Sequence, residues 1–149
     1  MASMEIRDAT TNDADDLAPL LETLGYPAEP EAIASRLRTL RATDPTSRVI
    51  VATRHGEIVG FATLHTTPVL HRPTGVGRIT GIAVRPSVEG TGVGRALVRA
   101  AEAHFLEHGL GRLEVTSGPM HVPAHDFYRR LGYADQGVRF AKTLERRLS

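Results

Sequence analysis

The sequence has no cysteine and no tryptophan, and Lys142 is its only lysine. Without cysteine there are no disulfides, no thiolate metal sites and no cysteine nucleophile. With almost no lysine, arginine carries nearly all the positive charge. That bias reads as GC-rich codon usage or as selection for bidentate anion binding. Charge of one sign is also lacking: 18 basic and 17 acidic residues leave a net charge of +1. Binding nucleic acid by bulk charge is therefore not expected. No apolar run approaches the roughly 20 residues that span a bilayer. Met1-Ala2-Ser3-Met4 lacks the charged and apolar regions of a signal peptide, so residues 1–3 are expected to be a disordered or vector-derived leader. With the missing cysteine, this points to a cytoplasmic protein. What remains is ordinary globular material, 41% hydrophobic and 23% charged over 149 residues. One domain, 4–149, is expected.

Along the chain, residues 4–9 read as a short strand. Asn12 or Asp13 can cap a helix carrying Leu17, Leu20, Leu21 and Leu24, with Gly25 as its stop. A second helix begins near Pro30-Glu31, turns Ile33, Leu37 and Leu40 inward, and ends at Asp44-Pro45. Arg48–Arg54 and Glu57–Thr67 flank His55-Gly56 and predict a hairpin. Residues 68–77 read as a loop and Arg78–Arg85 as a strand. A helix follows to about His108, with Leu97, Ala101 and Phe105 at intervals of four. Gly111–Ser117 reads as a strand. Pro123 suits a helix start, and Ala124, Phe127, Tyr128 and Leu131 share one face before Gly132. Val138–Leu144 reads as a last strand. The order β-α-α-β-β-β-α-β-α-β predicts one α/β domain, a mixed sheet with helices on both faces.

The richest local signal lies between strand and helix, in Glu89-Gly90-Thr91-Gly92-Val93-Gly94-Arg95-Ala96-Leu97. Glycines let backbone N–H groups approach a ligand, and the helix N-terminus adds partial positive charge, so the loop favours phosphate. A dinucleotide fingerprint is excluded because Arg95 and Leu97 stand where glycine or alanine is needed. A Walker A loop is excluded because no Gly-Lys pair occurs.

Ile82-Ala83-Val84-Arg85-Pro86 followed by Glu89–Leu97 resembles the acyl-CoA-binding motif of the GNAT family of N-acetyltransferases. That motif has Arg or Gln, two variable residues, Gly, one variable residue, then Gly or Ala. Gly92 and Gly94 match; Glu89 departs from the Arg/Gln position. Ala124-His125-Asp126-Phe127-Tyr128-Arg129-Arg130-Leu131-Gly132-Tyr133 resembles the family's second motif, about 30 residues on, with a strand between. Ala124-His125 before Phe127-Tyr128, together with Arg139–Leu144, is similar to the aminoalkylphosphonate N-acetyltransferase branch.

The resemblance implies direct transfer from acetyl-CoA, the cosubstrate, to the primary amine of a small molecule. It places the Ile82 N–H on the tetrahedral oxyanion and Val84 beside the pantetheine arm. Main-chain amides of Gly90, Thr91, Gly92, Val93, Gly94 and Arg95 would meet the pyrophosphate, with Ile82, Ala83, Glu89, Ala96, Phe127 and Tyr128 completing the acyl-CoA site. Tyr128 takes the place of the acid that protonates the leaving thiolate. Many members carry a basic glutamate on the fourth strand; Arg78-Ile79-Thr80-Gly81 has no carboxylate. His71, His65, His121 and His125 are then the candidates for the base, His71 and His125 foremost. Acceptor choice falls to the first two helices and the 68–77 loop, with Glu22, Tyr26, Glu29, Glu31, His71 and Arg72. No metal is expected. The family also implies a homodimer, for which an edge strand such as 138–144 would serve. A non-catalytic acyl-CoA module of the same fold and a protein N-acetyltransferase are the competing readings.

Overall fold

A computed structural model describes residues 3–116 and 122–145. The chain forms two compact units, one ending at Thr116 and the other beginning at Ser117. His121 and the end of the expected strand 111–117 lie outside the described residues.

The first unit is built on a five-stranded sheet in the order β1-β2-β3-β4-β5. Its strands are β1 (Met4–Asp8), β2 (Arg48–Arg54), β3 (Glu57–Thr67), β4 (Val76–Val84) and β5 (Leu113–Val115). The first four pair antiparallel, and β4 pairs parallel with β5. The helices are α1 (Ala14–Leu24), α2 (Pro30–Thr43) and α3 (Val93–Glu107). Among the described residues, no helix is long and apolar enough to cross a membrane.

β2 and β3 are buried along most of their length, as strands covered on both faces must be. On one face, Leu17 and Leu20 of α1 and Ile33 of α2 pack with Val51, Phe61 and Ala83. On the other lies α3, whose apolar stripe of Val93, Leu97, Val98, Ala101 and Phe105 is fully buried. Two glycines set the distance of α3 from the sheet. A Cβ on Gly77 would come within 2.5 Å of Phe105 Cγ, and one on Gly60 within 2.9 Å of Val93 Cγ1. Only a bare backbone lets the helix approach so closely.

Four expectations need correction. β4 begins at Val76, inside the segment read as loop, because Val76 and Gly77 pair with Thr67 and Thr66 of β3. β5 is only Leu113–Val115 among the described residues. Asp13 does not cap α1 through its side chain. Its carboxylate turns back to accept the Thr10 N–H at 2.7 Å and two bonds from Arg7, at 2.8 and 3.0 Å. Residues 138–144 form no strand. A strand exists only where its backbone has a neighbour to bond. Val138, Phe140 and Leu144 stand 80%, 92% and 85% exposed.

In the second unit, α4 (Val122–Arg130) ends where Tyr133 N–H returns to Tyr128 O at 3.0 Å across Gly132.

Candidate active site

β4 changes its surroundings half-way along. Gly77, Arg78 and Ile79 pair with Leu113, Glu114 and Val115. Thr80 then has no opposite residue on β3, since Leu64 faces Ile79 and Thr63 faces Gly81. Such a bulge switches which backbone groups point to which neighbour. Beyond it, Arg85 N–H donates to Val59 O at 2.8 Å. By alternation, Ala83 and Gly81 also aim their backbone groups at β3, while Ile82 and Val84 aim theirs at the opposite edge. Among the described residues, no strand pairs with that edge beyond Ile79. An extended, amide-bearing chain can add to such an edge as a strand would.

The open edge leads into the glycine loop. Pro86–Val88 form one 3-10 turn, followed by Glu89. Gly90 and Gly92 take φ of 76° and 98°, a region L side chains rarely occupy. Gly92 caps α3, and the first intrahelical bond runs from Ala96 N–H to Gly92 O at 3.0 Å. The N–H groups of Val93, Gly94 and Arg95 therefore have no partner within the helix, and no side chain caps them. With no acidic residue in the first turn of α3, this end is suited to a phosphate. Glu89 is exposed, so its carboxylate is solvated.

Gly81 presents a bare patch beside the open edge. A Cβ there would lie 3.7 Å from Leu24 Cδ2, 3.8 Å from Phe61 Cε2 and 3.9 Å from Thr63 Oγ1. Sequence reasoning passed over Thr63 and Phe61. An isolated glycine inside a strand was the available signal, since it marks bulges and close approaches.

The expected bases stand on different elements. His71 is exposed in the 68–75 loop, as are Arg72, Glu22, Tyr26, Glu29 and Glu31 on their segments. His65 sits on β3 opposite Arg78, its Nδ1 3.6 Å from Asp44 Oδ2. In the second unit, His125 and Tyr128 stand one turn apart on α4, both half-buried. Burial pushes the Tyr128 phenol above its ordinary value, so the hydroxyl keeps its proton at neutral pH. Its ring meets Phe127 edge-on at 5.2 Å and Tyr133 at 6.0 Å. Among the described residues, no three His, Asp or Glu side chains are grouped to hold a metal.

A strand with an open edge running into a glycine-capped helix defines a class of site, one that offers main-chain groups to an extended ligand carrying phosphates. Comparison with known proteins sharpens this. The Acetyltransferase (GNAT) family model matches residues 13–133, and the chain belongs to that family. It is an acyltransferase, and acetyl-CoA is its cosubstrate. It is 32% identical over 149 residues to an aminoalkylphosphonate N-acetyltransferase of Salmonella typhimurium, covering 97% of this chain and 94% of that one. It is 30% identical over 132 residues to the IAA acetyltransferase of Azospirillum brasilense, covering 89% and 81%. Among solved structures, an aminoglycoside N-acetyltransferase in complex with CoA matches with a TM-score of 0.83 at 19% identity, over 96% of each chain. That likeness is one of fold.

Proposed function

We propose that the protein moves the acetyl group of acetyl-CoA directly onto a primary amine of a small molecule. The observation that carries this reading is the continuity of the open Ile82–Val84 edge with the free N–H groups of Val93–Arg95. The edge suits the amides of the pantetheine arm; the helix start suits the pyrophosphate.

In the proposed mechanism, the amine nitrogen attacks the thioester carbonyl. A C–N bond forms, and the carbonyl electron pair moves onto oxygen, which accepts a hydrogen bond donated by the Ile82 N–H. Collapse breaks the C–S bond, and the leaving thiolate takes a proton from the Tyr128 hydroxyl. The proton lost by the amine passes to a base, for which His71 and His125 are proposed. A phenol held protonated by burial suits the donor's part.

For the acceptor we propose an amine that also carries an anion, aminoalkylphosphonates first. The whole-chain identity to the Salmonella enzyme supports this class. Arg72 is an exposed cation on the loop, and Arg78 on β4 is exposed with its Nη2 3.7 Å from Glu114 Oε1. A homodimer using residues 138–144 belongs to the same proposal. The exposed Val138, Phe140 and Leu144 support it, and a monomeric mass by light scattering at micromolar protein would remove it.

The deciding experiment has two arms. Calorimetric titration with acetyl-CoA, CoA and ATP should give saturable binding of the first two only. A thiol-release assay then runs polyamines, aminoglycosides, amino acids, arylalkylamines and aminoalkylphosphonates. The absence of cysteine keeps its background low. Binding without thiol release on any of these amines would favour a protein amine or a non-catalytic module. Tyr128→Phe should lower turnover roughly 10–1000-fold with acetyl-CoA binding kept.

A further inference from the structure

Thr91 is the one residue with a side chain between Gly90 and Gly92, and three of its groups are tied down. Its N–H donates to Val88 O at 3.3 Å, and its hydroxyl donates to the same carbonyl. From across the sheet, Arg54 Nη1 donates to Thr91 Oγ1 at 2.8 Å and Arg54 Nη2 to Thr91 O at 2.9 Å. Arg54 is the last residue of β2, a strand buried along its middle. The clamp therefore reaches the loop from the end of β2, just before the His55-Gly56 turn.

Peptide geometry gives this clamp a consequence. Among the described residues the peptide bonds are all trans, so the Thr91 C=O and the Gly92 N–H point in opposite directions. A guanidinium that holds the carbonyl on one side fixes the N–H on the other. The flanking glycine makes this necessary. Rotating the Thr91–Gly92 peptide changes ψ of Thr91 and φ of Gly92, and glycine opposes such a rotation little. Unclamped, the loop would turn a carbonyl, an acceptor, toward an anion.

We propose that Arg54 is a positioning residue for acyl-CoA: its bidentate clamp on Thr91 locks the Thr91–Gly92 peptide with the N–H toward the pyrophosphate. This rests on the acyl-CoA reading of the glycine loop. Arg54 acts through the loop and touches none of the reacting atoms. Its loss should therefore appear only with donors that carry phosphates.

The test compares acetyl-CoA with S-acetyl-N-acetylcysteamine, a thioester without the nucleotide. Arg54→Ala should weaken CoA binding about tenfold by calorimetry and raise KM for acetyl-CoA alike, with kcat within about twofold. Its kcat/KM with the truncated thioester should equal wild type. Arg54→Lys, a point charge that cannot span both acceptors, should recover only part of the loss. Thr91→Val, which removes one of the two acceptors, should weaken CoA about threefold, and added to Arg54→Ala should cost less than it does alone, since the two variants share the Oγ1 arm of the clamp. It also serves as the test should Arg54→Ala fail to fold. Wild-type CoA affinity in Arg54→Ala would overturn the proposal alone. So would equal losses with both donors, which would mean a general structural role. A folded wild type that binds no CoA would overturn the loop reading itself, and the proposal with it.

Discussion

Gly60 and Gly77 differ from Gly90 and Gly92 in everything but residue type. The first pair lies in strands beneath α3, where a Cβ would strike Val93, Leu97 or Phe105. The second pair lies in the open loop, where a Cβ would meet nothing within 4 Å but the backbone takes φ of 76° and 98°. One pair is glycine for want of space, the other for want of a permitted conformation. The space-limited pair belongs to the core. The conformation-limited pair shapes a surface of main-chain N–H groups and packs against nothing. Substitution should therefore damage different properties at the two places.

The largest effect is expected at Gly77. An added Cβ falls 2.5 to 2.7 Å from three atoms of the Phe105 ring, which is itself fully buried. Gly77→Ala should lower unfolding stability by about 3 kcal/mol, the upper range for overpacking a dense core. CoA affinity of the folded fraction should stay within about twofold. A chemical denaturation curve and a titration on the same variant read both. Full stability would mean that α3 stands off the sheet.

Gly60→Ala is the next largest and tests whether the two sets are independent. Its Cβ would lie 2.9 Å from Val93 Cγ1 and 3.0 Å from Ala83 O. A destabilisation of about 2 kcal/mol is expected. Val93 is the first residue of α3, so pushing it outward also moves the free N–H groups at the helix start. CoA binding should weaken by about threefold, a side effect that Gly77→Ala lacks. Gly92→Ala is the converse. A side chain in the left-handed region is strained by about 1–2 kcal/mol, and the loop can relieve that by turning its peptide. We expect CoA binding about tenfold weaker with a midpoint shift of only a few degrees. Unaltered binding in Gly92→Ala would break the distinction between the sets.

Much of this was legible along the chain. β2 and β3 carry β-rich runs on either side of a tight turn, and both end where the sequence predicts, at Arg54 and Thr67. The glycine loop was legible because three alternating glycines at a helix start have few structural uses. Misreadings arose where a long-range partner decides. Val76-Gly77 looks like the end of a loop until β3 lies beside it and Phe105 above it. Val138, Phe140 and Leu144 alternate as a strand does, yet the pattern supplies no neighbour for the backbone. Arg54 clamps a loop 37 residues away, a distance at which no periodicity speaks.

The smallest effect concerns acid, and it falls on the scaffold. The groups proposed to meet the pyrophosphate are main-chain amides, which do not titrate. In the packed part of the molecule, Asp13 is buried and paired. Its bonds from Arg7, and then from the Thr10 N–H, hold its carboxyl below the usual aspartate range. A carboxyl whose folded value is depressed contributes stability that is complete above its unfolded value, about 4, and lost as pH falls through the folded value. Arg7 is half exposed and partly screened, so the pair should contribute only about 1 kcal/mol. Asp13→Asn should therefore be about 1 kcal/mol less stable than wild type at pH 7. The gap should close as both proteins are taken below pH 4, because wild type then loses the same charge. Denaturation midpoints at pH 7, 5, 4 and 3 would trace it. A gap that persisted at pH 3 would assign the loss to the shape of the amide and remove the ion pair from the account of α1.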